Sequence, residues 1–148
     1  MICTTLNKIR EHSPCQDGWE KLLKHLNKTS ADDDALPLLT ILESNGLEDT
    51  LWCLSTLPEY DREWRLFAVW CARQVQHLMT DPRSRAALDV AERYAKGKAS
   101  EEEMDAARAA ARDAARAAAG DAAGAAAWAA AGAAAGAAQK IELIKIIS

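Results

Sequence analysis

The residues able to do chemistry are few and scattered. His12, His25 and His77 and the four cysteines, Cys3, Cys15, Cys53 and Cys71, are the groups that could hold a metal or serve as base and nucleophile. His12 and Cys15 stand close together with Cys3 upstream, but no Cys-x-x-Cys pair exists. Structural zinc sites use tighter, paired ligand spacing, so neither a metal nor a cofactor is expected. A nucleophilic serine or cysteine needs a base and an orienting group beside it, and no such set is marked by spacing. Cys71 falls on an apolar helical face, where a packed thiol is the simpler reading. A phosphate loop joins a strand to a helix, and the sequence holds no convincing strand. No catalytic residue is predicted, and an enzyme would need a polar cleft that these residue types do not outline.

Two kinds of charged cluster remain. Asp32, Asp33 and Asp34 form one acidic run, and Glu101, Glu102 and Glu103 another. Contiguous acids are commonly solvated helix starts; the functional alternative is an acidic patch that captures a basic partner. Arg62, Arg65 and Arg73, with Arg83 and Arg85 nearby, form a comb suited to an acidic protein or a phosphate backbone, or else a solvent face with local salt links. Asp32, Asp33, Asp34 and these five arginines are the candidate partner-binding residues.

The elements that position them read as helices. Thr4–Glu11 is a short amphipathic segment. Ser13-Pro14-Cys15-Gln16 reads as a capped start for a helix running to about Leu26, with Trp19, Leu22, Leu23 and Leu26 as its apolar stripe. A short helix after Leu36-Pro37 closes at Gly46, and Leu47–Ser55 is another. Asp61–Met79 is the expected central helix, with Trp64, Phe67, Ala68, Cys71, Val75 and Leu78 on one side and Arg62, Arg65, Arg73, Gln76 and Val69 on the other. Asp81-Pro82 starts the next helix, which stops at Gly97. Ser100-Glu101-Glu102-Glu103 is a capping box with acids at the favourable end of the helix dipole.

Beyond it, 23 of the 33 residues from Ala106 to Ala138 are alanine. Arg108, Arg112, Arg116, Gly120, Gly124, Trp128, Gly132 and Gly136 recur every four positions and drift around a helix of 3.6 residues per turn. Alanine favours helix and each glycine opposes it by about 0.8–1 kcal/mol. A long helix is therefore expected, packed on the same domain or on a second copy, which makes a homodimer one expectation. Ala122–Ala138 lacks charge but is too short and too weakly hydrophobic to read as a membrane span. Ile141, Leu143, Ile144, Ile146 and Ile147 should dock, as a helix extension or a short strand, because an exposed cluster of that size would associate.

Composition agrees with a soluble all-α protein. The chain has 148 residues, 49% hydrophobic and 27% charged, with a net charge of -4. That balance argues against a general nucleic-acid binder, which would be basic. No N-terminal segment resembles a signal peptide, and the irregular cysteines read as free thiols of a reducing, cytoplasmic compartment. The expected organisation is a compact multi-helix domain over residues 1–100, followed by a long alanine-rich C-terminal helix and short apolar segment over 101–148.

One stretch carries a resemblance. Arg62-Glu63-Trp64-Arg65-Leu66-Phe67-Ala68-Val69-Trp70-Cys71-Ala72-Arg73-Gln74, followed by Asp81-Pro82-Arg83-Ser84 and Ala87–Tyr94, resembles a group of bacterial and phage proteins labelled as immunity proteins, which continue into an alanine-arginine tract. The likeness covers roughly residues 50–120 and is most specific at Trp64–Gln74. It departs where Gly120, Gly124, Gly132 and Gly136 stand in place of arginines. The resemblance implies a helical fold and, by its label, neutralisation of a toxin by binding; it brings no catalytic residues. The expectation is a non-enzymatic protein-binding protein. The alternatives are a phage-encoded inhibitor of a host defence system, in the manner of an anti-CRISPR, and an enzyme with an unrecognised site.

Overall fold

Caps and breakers set the helices, and the computed structural model, which describes residues 1–118 and 136–148, builds most of them where the sequence places them. In chain order the α-helices are α1 (Leu6–Glu11), α2 (Gln16–His25), α3 (Leu38–Ser44), α4 (Leu47–Cys53), α5 (Asp61–Gln74), α6 (Pro82–Ala95) and α7 (Glu101–Ala118). Residues 136–147 form a further helix, α8. The chain is all-α apart from a two-residue antiparallel pairing of β1 (Cys3–Thr4) with β2 (Leu36–Pro37). That pairing departs from the expectation of no strand. Two-residue segments carry no periodicity, so only the packing of distant chain segments creates them.

The backbone packs as two units, Met1–Asp61 with Lys140–Ser148, and Arg62–Gln139. In the first unit the N-terminal segment is threaded between distant elements. The Ile2 N–H donates to the Ile147 carbonyl at 2.8 Å, and the Leu38 N–H donates to the Ile2 carbonyl at 3.0 Å. Around it lie Leu6, Ile9, Leu38, Ile41, Leu57, Leu143 and Ile147, all essentially fully buried. The apolar tail thus docks as a helix through Leu143 and Ile147, while Ile141 stays 59% exposed. Two threonines share this core. The Thr56 hydroxyl donates to the Cys53 carbonyl at 2.8 Å, which leaves the Thr4 hydroxyl to donate to Thr56 Oγ1 at 3.0 Å. Both groups are thereby satisfied, as burial demands.

The start of α2 corrects the capping expectation. Ser13 has φ +54°, outside the extended conformation of an N-cap. Its N–H instead donates to the Arg10 carbonyl and closes α1. Cys15 takes the N-cap position of α2 without a side-chain hydrogen bond. Gly46 and Gly97, with φ of +96° and +69°, end α3 and α6 in the left-handed region where glycine carries no steric penalty.

In the second unit α6 and α7 pack against each other as a hairpin. Asp81 caps α6 by accepting from the Arg83 N–H at 2.8 Å. The Ser100 capping box forms in both directions: the Glu103 N–H donates to Ser100 Oγ at 3.2 Å, and the Ser100 N–H to Glu103 Oε2 at 2.9 Å. α5 is less enclosed than its expected central place implies. It buries Phe67 and Val69, whereas Trp64, Cys71, Val75 and Leu78 are half-buried and Ala68 is exposed. Val69, which with Leu66 and Trp70 widens the apolar surface of this helix beyond one stripe, is an inward residue, because the neighbours that cover a helix decide which flank of a broad apolar surface is enclosed. The 3.6-residue helix of Asp61–Met79 also ends early, at Gln74, with a separate 3-10 turn over Gln76–Leu78. α7 realises the first part of the alanine tract. The Gly120–Gly132 ridge, Trp128 and most of Ala122–Ala138 lie outside the described residues.

Candidate functional site

The first unit carries a cleft of about 210 Å³ where α2, α3 and α4 meet. The sequence of α2 makes room for it. A Cβ on Gly18 would stand 2.8 Å from Asp49 Oδ2 and 3.0 Å from Cys15 Sγ, so glycine lets α4 approach α2 closely. Asn45, at the end of α3, ties the three helices together. Its Nδ2 donates to the Gly18 carbonyl at 2.8 Å and to Asp49 Oδ2 at 2.7 Å, and its Oδ1 accepts from the Ser44 hydroxyl at 2.6 Å.

On this frame the cleft walls are mainly apolar: Ile9, Pro14, Trp19, Leu22, Ile41 and Trp52. Trp52 is 40% exposed, so part of this wall is open to solvent. Glu48 and Asp49, in the first turn of α4, contribute the charges of the lining, and among the described residues no lysine, arginine or histidine shares it. Of the two cysteines there, Cys15 is exposed and Cys53 is buried. Burial, reinforced by the nearby Asp49 carboxylate, pushes the Cys53 thiol up to about 12. Cys53 is therefore a protonated packing group at neutral pH and no nucleophile. The cleft can accept an apolar side chain against an aromatic wall, with the Glu48 and Asp49 carboxylates as the proton acceptors of its lining.

Sequence reading missed this site. Trp19 and Trp52 both fall on apolar helical stripes, where core packing is the ordinary outcome. No signal in the sequence separates them from core residues.

The charged candidates lie elsewhere and are not brought together. Asp32 and Asp34 flank Lys28 Nζ at 2.5 and 2.8 Å, and Asp33 is exposed beside them. The arginines belong to the second unit. Arg73 donates to Asp89 at 2.7 Å, Glu92 at 2.9 Å and Gln76 at 2.9 Å, while Arg83 pairs with its own cap Asp81 at 2.7 Å. Arg65 lies over the Tyr94 ring, 5.0 Å from its centroid, a cation–π contact. Arg62 and Arg85 are exposed.

Among the described residues no group of three His, Cys, Asp or Glu side chains is placed to hold a metal ion. No helix among them is long and apolar enough to cross a membrane. No protein-family model, curated protein or solved structure matches the chain.

Proposed function

We propose that this chain is a non-enzymatic protein that binds another protein, with the Trp52 cleft as its contact surface. The observation that carries the reading is an exposed tryptophan in the wall of an apolar cleft built on three cross-tied helices. Aromatic anchors in well-formed pockets dominate protein–protein binding energy. A frame held by Asn45 and a close-packed Gly18 loses little freedom on binding, which favours affinity. The internal pairing of Arg73 and Arg83 leaves less unpaired basic surface for nucleic acid, in keeping with the net charge. The protonated Cys53, and a lining without histidine among the described residues, favour binding over catalysis.

Neutralisation of a toxin is the specific form of this reading, and it rests on the resemblance over residues 50–120. The expected homodimer rests on the alanine-glycine tract, so the partner proposed here is a different protein. The test is affinity capture from the native host, followed by binding of the purified partner to wild-type chain and to Trp52→Ala. A partner held by the wild type and weakened at least about tenfold by Trp52→Ala is expected of a central aromatic anchor. A partner that binds both equally would remove the cleft from the function. A captured toxin whose activity is blocked supports immunity, and a captured host-defence component turns the function to phage counter-defence.

A further inference from the structure

We infer that the Trp52 cleft takes an apolar side chain carried beside a lysine or arginine, so that the partner segment it holds is cationic as well as apolar; this rests on the cleft being the binding surface proposed above. The argument is charge complementarity on an apolar frame. The lining joins the Trp52 indole to two carboxylates, Glu48 and Asp49, and no basic side chain among the described residues shares it. The surrounding unit has the same sign: Met1–Asp61 with Lys140–Ser148 holds twelve acidic and seven basic residues, a net of -5. Such a field draws cationic segments toward it and repels acidic ones.

Asp49 is positioned to act. Its Oδ2 is fixed by Asn45 at 2.7 Å and rests against Gly18, which orients the whole carboxylate. A carboxylate accepts on both oxygens, and among the described residues no hydrogen bond reaches Asp49 Oδ1 or the Glu48 carboxylate. Both acids also suit the N-terminal end of α4, and that structural role consumes none of this accepting capacity. A lysine or arginine placed there would find a charge-assisted acceptor at its head and the Trp52 face along its stem.

The test uses the full chain and two probes of one shape, 4-phenylbutylamine and the neutral 4-phenyl-1-butanol. Binding is followed at the Trp52 indole N–H by nuclear magnetic resonance, assigned by its loss in Trp52→Ala. The amine should bind roughly 1.5-fold to fivefold more tightly than the alcohol at low salt, the span of an exposed charge contact. Added salt should narrow that gap. Glu48→Gln with Asp49→Asn should bring the amine to the affinity of the alcohol. Should the double variant misfold, exposed Glu48→Gln alone should still narrow the ratio. Equal binding of both probes overturns the cationic preference while leaving the cleft as a site. Failure of both probes, or of the amine alone, to move the Trp52 resonance overturns the inference outright, and the Trp52→Ala partner assay then judges the protein-binding reading separately.

Discussion

Gly18→Ala puts the packing of the cleft frame against the ordinary preference of a helix. Gly18 lies inside α2, where alanine should stabilise by about 0.8–1 kcal/mol on propensity alone. The structure reverses that sign. The new methyl would stand 2.8 Å from Asp49 Oδ2. The carboxylate is the end of a side chain and can swing aside, but it then leaves Asn45 Nδ2, its partner at 2.7 Å. A hydrogen bond to a charged group contributes about 1.5–3 kcal/mol. Cys15 Sγ, at 3.0 Å, is exposed and turns away at little cost. The net expectation is a loss of about 0.5–2 kcal/mol, the hydrogen bond outweighing the propensity. Urea unfolding followed by circular dichroism measures it, and a second background isolates its cause. In Asp49→Ala the obstruction is gone, so Gly18→Ala should stabilise by up to about 1 kcal/mol. The coupling between the two sites is the quantity to read. A stabilising Gly18→Ala in the wild-type background, or the same effect in both, would refute the close approach of α4 to Gly18.

Phe67, 5% exposed and stacked on Trp70 with centroids 6.4 Å apart, should cost about 3–5 kcal/mol as Phe67→Ala, and half-buried Trp64→Ala less, in the same denaturant assay; a larger loss at Trp64 would misassign the core of α5. Thr56→Val leaves the buried Thr4 hydroxyl without its acceptor and should cost about 1–3 kcal/mol, whereas adding Thr4→Val should cost less than the sum of the single changes. Strict additivity in thermal or urea melts would mean that the pair is uncoupled. The Arg83 side chain, and then its backbone N–H, hold the Asp81 carboxyl down to about 2. A depressed folded pKa means that the α6 cap supports folding above the ordinary aspartate value and loses that support as pH falls toward about 2. Titration of the Asp81 carboxyl carbon by nuclear magnetic resonance should find that low midpoint, and a midpoint near 3.8 would contradict the pairing.

The sequence by itself determined the features that close within a few residues. The Asp81-Pro82 start, the Ser100–Glu103 capping box, and the glycines that end α3 and α6 are all built as the local chemistry dictates. So is the all-α class, because caps and 3.6-residue stripes are properties of contiguous chain. The tertiary structure decided whatever depends on which distant segment arrives. Ser13 closes α1 instead of starting α2, β1 finds β2 across more than thirty residues, and Ile2 bridges Leu38 to Ile147. Backbone packing groups the first sixty-one residues with the last nine. The candidate site belongs wholly to this second kind. Trp19 and Trp52 look alike in sequence, each on an apolar stripe. The packing of the helices leaves Trp19 half-buried in a wall and Trp52 exposed. Helical periodicity says which side chains share a face, but exposure depends on what packs against that face, and that is fixed by contacts between helices that the linear sequence does not encode locally.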